Sequence, residues 1–309
     1  MSYWLTAAGG LVAALPALRE LRRRPRNARL RAQAPGSFAD LSQGVTHYDW
    51  LGPERGPVAV CVHGLTTPSF VWLGLARRLV AMGYRVLVYD LYGRGYSAAP
   101  RGLQTPGVFS RQLTDLLDHE GLTDDITLIG YSMGGAISAH WASENGHRLR
   151  RLILLAPAGM GHELGAMARW AVEWPVLGDW LFHMAYPTLF RKAAEAERNA
   201  ASSVEDISDL QIGELDRRGF VRSVLSSLRG TLRRSAEAAH REIHATHLPV
   251  TAIWARDDKT IPLRAMGQLT QWNRDVRQVV IEEAGHGLTY THADAVAQAI
   301  AETWDGPVI

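Results

Sequence analysis

Three side chains stand where serine-dependent acyl-transfer chemistry would need them. Ser132 lies in Gly130-Tyr131-Ser132-Met133-Gly134, followed by Gly135, directly after the apolar run Ile126 to Ile129 and ahead of a helical pattern. A sharp strand-to-helix turn forces its central residue into a strained backbone conformation, and small flanking residues let the chain pass closely. Such a turn lifts the serine hydroxyl above the sheet beside a helix N-terminus, which favours negative charge. A glycine-rich turn alone could spell the same pentapeptide; the strand before it and the helix after it separate the two readings.

A serine hydroxyl is a weak nucleophile unless a base takes its proton, and the base needs an acid to hold its tautomer. Of twelve histidines, His286 in Ala284-Gly285-His286-Gly287 is the one placed in a loop between a strand and the last helical segment. For the acid, Asp257-Asp258 follows the run Val250 to Trp254 and precedes Pro262. Asp258 is preferred and Asp257 is the alternative; either could instead cap the following helix. The chain order is therefore Ser132, Asp258, His286, as expected for a strand–helix sheet carrying this chemistry. A tetrahedral intermediate also needs two backbone N–H donors aimed at its oxyanion. Met133 supplies one, and Leu65 in His63-Gly64-Leu65-Thr66 is the choice for the other, with Thr66 next to it. His63 reads as a structural residue that holds this loop.

These residues must be positioned by strands. Short apolar runs at 58–62, 85–89, 126–129, 152–155, 250–254 and 276–281 alternate with helical patterns, the last of them from Ala293 to Trp304. Repeated strand–helix units predict a mainly parallel sheet covered on both faces, with functional residues after the strand ends. The series breaks between Leu155 and Val250. There Leu164, Met167, Ala171 and Trp174 share one helical face, and Val221, Val224, Leu225, Leu228 and Leu232 share another. The expected organisation is a core over 36–157 and 246–309, a helical cap over 158–245, and an N-terminal segment over 1–35. Aromatic residues concentrate in the cap, so Trp170, Trp174 and Trp180, with Phe70 and Trp72 from the core, are candidates to line an apolar acyl pocket. Asp90-Leu91-Tyr92-Gly93-Arg94-Gly95 contains a G-x-G but lacks the third glycine of a dinucleotide site, and is expected to be a tight surface loop.

Composition bounds the partners. The chain has 309 residues, 47% hydrophobic and 21% charged, with a single cysteine, Cys61. That excludes an intramolecular disulfide framework and a cysteine-cluster metal site. The net charge of +2 speaks against a nucleic-acid partner, but it conceals an asymmetry. Residues 19–31 carry seven arginines against Glu20, a local charge of +6, so the remainder is mildly acidic. The apolar stretch before them, Tyr3 to Leu18, is shorter than the roughly 18–20 residues that span a bilayer, and is broken by Gly9, Gly10 and Pro16. Its positive charges follow the apolar run, contrary to a secretory signal. Residues 1–31 therefore either lie in a membrane interface, with Trp4 at headgroup depth, or dock on the body or a second subunit. The expected location is cytoplasmic, with peripheral contact on the inner membrane face as the variant.

The motifs HGLT (63–66), DLYGRGYS (90–97), GYSMGG (130–135), ARDDKTIP (255–262) and AGHG (284–287) together resemble the α/β-hydrolase superfamily, over about residues 45–305. The sequence looks most like capped bacterial esterases and monoacylglycerol-lipase-like enzymes. The resemblance implies an α/β fold: a mostly parallel sheet flanked by helices, with a helical cap inserted after the strand that follows the nucleophile helix. It implies a serine hydrolase that cleaves carboxylic esters of medium to long apolar acyl groups, acting on a small-molecule ester or lipid with no cofactor and no metal. Carbon–carbon bond hydrolysis or acyl transfer within the same fold is the alternative, and a non-catalytic ligand-binding relative is a third reading. Ala255 stands where the family often has glycine. Serine at the elbow separates the chain from dehalogenase and epoxide hydrolase branches, which use aspartate there. HGLTTP lacks the HG-x-GPG loop common in carbon–carbon hydrolases.

Overall fold

The computed structural model describes residues 2–161 and 165–303, with side chains from residue 10 onward except that of residue 166. Leu164 and Trp304, placed in helical patterns above, lie outside the described residues, as does the side chain of Trp4. One eight-stranded sheet organises the chain: β1 (Ser37–Leu41), β2 (Gly44–Leu51), β3 (Val58–Val62), β4 (Arg85–Tyr89), β5 (Ile126–Tyr131), β6 (Leu149–Leu155), β7 (Val250–Ala255) and β8 (Arg277–Ile281). Their spatial order is β1-β2-β4-β3-β5-β6-β7-β8. The β1–β2 and β2–β4 pairs are antiparallel, and every later pair is parallel.

Strands buried on both faces read as continuous apolar runs, and β3 to β7 do. Val60, Val62, Leu128 and Leu154 enter one core layer, while Ala59, Cys61, Ile129 and Ile153 enter the other. The first layer is closed by α4 (Pro106–His119), α5 (Met133–Asn145), α10 (Glu237–Ala245) and α11 (Arg264–Trp272), through Leu113, Ile137, Ile243 and Leu269. The second is closed by α3 (Leu73–Ala81), α12 (Leu288–Thr291) and α13 (Ala293–Glu302), through Leu75, Leu79, Leu288, Val296 and Ile300. Each such side chain contributes about 1.5–3 kcal/mol by leaving water. Burial also pushes the Cys61 thiol well above its usual range, so it is an inert core residue.

Between β6 and β7 the chain leaves the sheet for α6 (Ala166–Glu173), α7 (Leu177–Ala196), α8 (Ile207–Gly213) and α9 (Phe220–Arg229), and returns through α10, which packs on α5 and α11. Phe182, Tyr186 and Phe190 recur every four residues along α7 and stack at 4.5 and 5.6 Å. Phe190 meets Phe220 of α9 at 6.0 Å, so this stripe joins helices to one another.

At the N-terminus, α1 (Ser2–Arg22) and the turn that leads from it to α2 (Ala28–Arg31) dock on the body. Trp180 Nε1 donates to Val12 O at 3.0 Å, Arg218 donates to Leu21 O at 2.6 Å, and Arg24 N donates to Asp216 O at 2.7 Å. Arg26 goes deeper. Its guanidinium donates to the carbonyls of Gly93 at 2.9 Å, Arg94 at 3.2 Å, Ser97 at 3.1 Å and Arg218 at 3.0 Å, and to Gly95 O. Burial lowers its pKa to about 10. No helix among the described residues is long and apolar enough to cross a membrane.

One expectation fails here. The 90–97 loop is not a surface loop: Asp90, Arg94 and Ser97 are buried. Asp90 accepts from Ser69 N and Tyr96 N and meets His47 Nδ1 at 2.7 Å. These bonds and the His47 charge outweigh the burial penalty and hold the Asp90 carboxyl well below its ordinary range. Backbone donors and buried cations, absent from any linear pattern, draw this polar loop inward.

Candidate active site

Ser132 sits at the tip between β5 and α5 with φ 54° and ψ −118°, a conformation that costs an ordinary residue about 1–3 kcal/mol. The surroundings over-determine it. Ser132 N donates to Leu155 O at 2.9 Å, and Ser132 O accepts from Gly135 N and Ala158 N, both at 2.9 Å. The flanking glycines have a steric cause. A Cβ on Gly134 would stand 2.0 Å from Val62 O, and one on Gly130 would stand 2.6 Å from Gly134 O.

His286 reaches this serine from the loop after β8, with Nε2 2.9 Å from Ser132 Oγ. Its Nδ1 lies 2.7 Å from Asp258 Oδ2. Tyr131 OH donates to His286 O at 2.9 Å and fixes the histidine backbone. Asp258 is buried, and its second oxygen accepts from Thr260 N at 2.7 Å and Ile261 N at 2.8 Å. The helix-capping alternative is not realised: the next helix begins at Arg264 with Leu263 at its N-cap, and Asp258 instead ties the turn before it with one oxygen and holds His286 with the other. Asp257 is exposed and uses its N–H on Ala284 O. An array ordered carboxylate, imidazole, hydroxyl can move the serine proton onto Nε2 and stabilise the resulting imidazolium.

The loop after β3 brings Leu65 to the same place. His63 is fully buried; its Nδ1 lies 2.8 Å from Gly64 O, and its Nε2 accepts from Leu91 N at 2.9 Å. A carbonyl only accepts, so Nδ1 carries the proton and the ring is neutral; burial lowers its pKa to about 4. Gly64 O shares a planar trans peptide with the Leu65 N–H, so His63 fixes the plane in which that N–H points. Arg94 Nε donates to Leu65 O at 2.9 Å and in the same way fixes the next peptide, which carries Thr66 N–H. Met133 opens α5, where first-turn N–H groups lack intrahelical acceptors.

A cavity of about 220 Å³ lies over these groups, lined among others by Leu65, Thr66, Ala158, Leu228, Leu232 and Ile261, with Ser132 and His286 at its floor. Leu228 and Leu232 come from the helical face read as an apolar stripe, but nothing in that stripe marks which two face the serine. The aromatic candidates do not line it. Trp72 is fully buried in the core beneath α3, and Phe70 packs on the same cluster. Trp170 and Trp174 are 58% and 54% exposed and stack on each other at 5.9 Å, while Trp180 is bonded to α1. Indole bulk suits helix contacts and outer faces here, leaving the space above Ser132 to leucine and isoleucine. His63 holds its loop as expected, whereas the parts of Arg94, Tyr131 and Thr260 run through backbone contacts that their motifs do not reveal.

Comparison with known proteins places the chain in a family. A model of the alpha/beta hydrolase fold matches residues 57–293. A 2-hydroxy-6-oxo-2,4-heptadienoate hydrolase of Pseudomonas putida is 27% identical over 242 residues, covering 75% of this chain and 83% of the relative. A 2-hydroxy-6-oxo-6-phenylhexa-2,4-dienoate hydrolase of Comamonas testosteroni is 28% identical over 274 residues, covering 84% and 90%. In fold, an esterase of Exiguobacterium antarcticum superposes with a TM-score of 0.71 at 18% identity, over 86% of this chain and 98% of that one. The family match takes in the elbow, the loop after β3 and the carboxylate–imidazole pair together, and the chain belongs to the alpha/beta hydrolase fold family.

Proposed function

We propose that the chain is a serine hydrolase acting on an uncharged carboxylic ester with a compact apolar acyl group. The observation that carries this reading is the lining of the cavity: apolar side chains and threonines surround Ser132 and His286, and no lysine or arginine is among them. An anionic substrate would leave an uncompensated charge there, at a cost of several kcal/mol. His286 takes the Ser132 proton as Oγ attacks the carbonyl carbon, and the N–H groups of Leu65 and Met133 hold the oxyanion. The imidazolium then protonates the departing alcohol, and water, deprotonated by His286, releases the acid. Asp258 keeps the proton on Nδ1 throughout. At about 220 Å³ the cavity is smaller than the roughly 300–1,000 Å³ of most ligand sites, which narrows the expected range to short and medium acyl groups. The helices between β6 and β7 act as the cap that closes this space.

The second reading is hydrolysis of a carbon–carbon bond next to a ketone. The names of the relatives favour it over ester cleavage, since those at 27% and 28% identity are both dienoate hydrolases. Labelling with a fluorophosphonate probe, abolished in Ser132→Ala, tests the nucleophile. A p-nitrophenyl ester series run beside a 2-hydroxy-6-oxo-dienoate then decides the substrate. Turnover of the dienoate with at least about a hundredfold higher kcat/KM overturns the ester reading.

A further inference from the structure

The arginines of the N-terminal segment meet others from the body around a second space, remote from the serine. A cavity of about 810 Å³ lies between α1 and the body, with Arg26, Arg31, Arg101, Arg218, Arg222 and Glu20 on its walls. None of these five arginines pairs with a carboxylate among the described residues. Glu20 is already engaged, at 2.6 Å by Arg23 and by Gly219 N–H. Glu214, behind Arg26, is held by Arg217 at 2.8 Å.

Hydrogen-bonding capacity is left over as well as charge. Arg26 spends its donors on backbone carbonyls and pairs directly with no carboxylate; Glu214, which acts on its charge from nearby, is bonded to Arg217. Arg222 donates to Ala99 O at 2.8 Å and Arg218 to Leu21 O at 2.6 Å, both neutral acceptors. The Nε groups of Arg31 and Arg218 are buried with no partner. A buried donor without an acceptor is costly, and like charges brought together repel; an anion with several oxygens relieves both. Guanidinium forks fit phosphate oxygens two at a time. His183 of α7 also lines the space and adds no negative charge.

We propose that this cavity binds a phosphate-bearing anion. Its volume exceeds that of a bare phosphate ion, so the phosphate belongs to a larger molecule. That molecule is either a lipid headgroup at a bilayer surface or a soluble phosphate compound. The exposed Leu18 and Leu21 of α1 stand next to the cavity wall and suit the first source. The proposal does not depend on the substrate assigned to Ser132.

The test uses the full chain and two probes: inorganic pyrophosphate by calorimetry, and co-sedimentation with phosphatidylcholine vesicles with or without phosphatidic acid. The variant is Arg101→Gln with Arg222→Gln, its folding checked by circular dichroism and thermal midpoint. Arg101→Gln alone, at an exposed side chain, serves if the pair fails to fold. Pyrophosphate binding that weakens by about tenfold or more in the folded variant supports the site and a soluble source. Sedimentation that requires phosphatidic acid and is lost in the variant supports the site and a lipid source. Binding of neither probe, or equal binding by wild type and folded variants, overturns the proposal.

Discussion

Replacing Asp258 by asparagine should disable the serine without disturbing the fold, for a reason that can be worked through atom by atom. Oδ1 of Asp258 accepts two backbone N–H groups, from Thr260 at 2.7 Å and Ile261 at 2.8 Å. An amide NH₂ cannot face those donors, so the asparagine oxygen must take that side and its nitrogen must face His286. The NH₂ then donates to Nδ1, which forces the ring proton onto Nε2 at 2.9 Å from Ser132 Oγ. The imidazole now offers the serine a proton instead of accepting one. The loss expected for a wrong tautomer is about 10⁴-fold in kcat, equivalent to about 5.5 kcal/mol. Stability should fall by only about 1 kcal/mol, since both backbone donors keep an acceptor. The assay is hydrolysis of p-nitrophenyl butyrate beside the rate of fluorophosphonate labelling, with Asp257→Asn as the control. The labelling rate reads the activated serine whatever the natural substrate. If Asp258→Asn stays within about tenfold of wild type, or Asp257→Asn loses as much, the tautomer argument is wrong.

Three further substitutions test other parts of the structure. His240 is buried against Trp272, both ring nitrogens lack partners, and burial lowers its pKa to about 4. A folded pKa below the unfolded value of about 6.5 means its stability contribution is full above pH 6.5 and is lost as pH falls towards 4, by about 3 kcal/mol. His240→Phe should therefore raise stability in urea titrations and flatten that acid limb; an unchanged pH slope refutes it. Leu232→Trp should fill the cavity over Ser132 and cut kcat/KM for butyrate esters at least about tenfold while sparing acetate, read from the same ester series. Gly134→Ala drives a Cβ to 2.0 Å from Val62 O, and should cost more than about 3 kcal/mol or prevent soluble expression.

The parallel strands and the serine–histidine–aspartate constellation were legible because each rests on local pattern: apolar runs that end in glycine, histidine or aspartate. The β1–β2 hairpin was not, since SFADL and GVTHYDWL mix polar and apolar residues as an antiparallel edge does. The aromatic candidates stand away from the pocket for a related reason. Helical spacing shows that Trp170 and Trp174 share a face, but not whether that face meets the serine, another helix or solvent. The 90–97 loop shows the limit most clearly. Its polarity suggested the surface, whereas Arg26, His47 and Glu214, from distant parts of the chain, satisfy its groups inside.

Arg26 bears on where the working unit begins. The family match starts at residue 57, and trimming the chain to that boundary would look harmless by resemblance. The trimmed chain would lose the donor that serves Gly93 and Ser97, leaving those two carbonyls with no donor from the protein, while Arg94 O would keep only the Ser97 N–H at 3.2 Å. Arg94, which grips Leu65 beside the serine, belongs to that loop. A shortened chain could keep every motif and still lose the rigidity of its oxyanion donors. The part of the chain that looks familiar is thus braced by a residue outside it, since Arg26, thirty-one positions upstream of the family boundary, is bonded to the loop that carries Arg94.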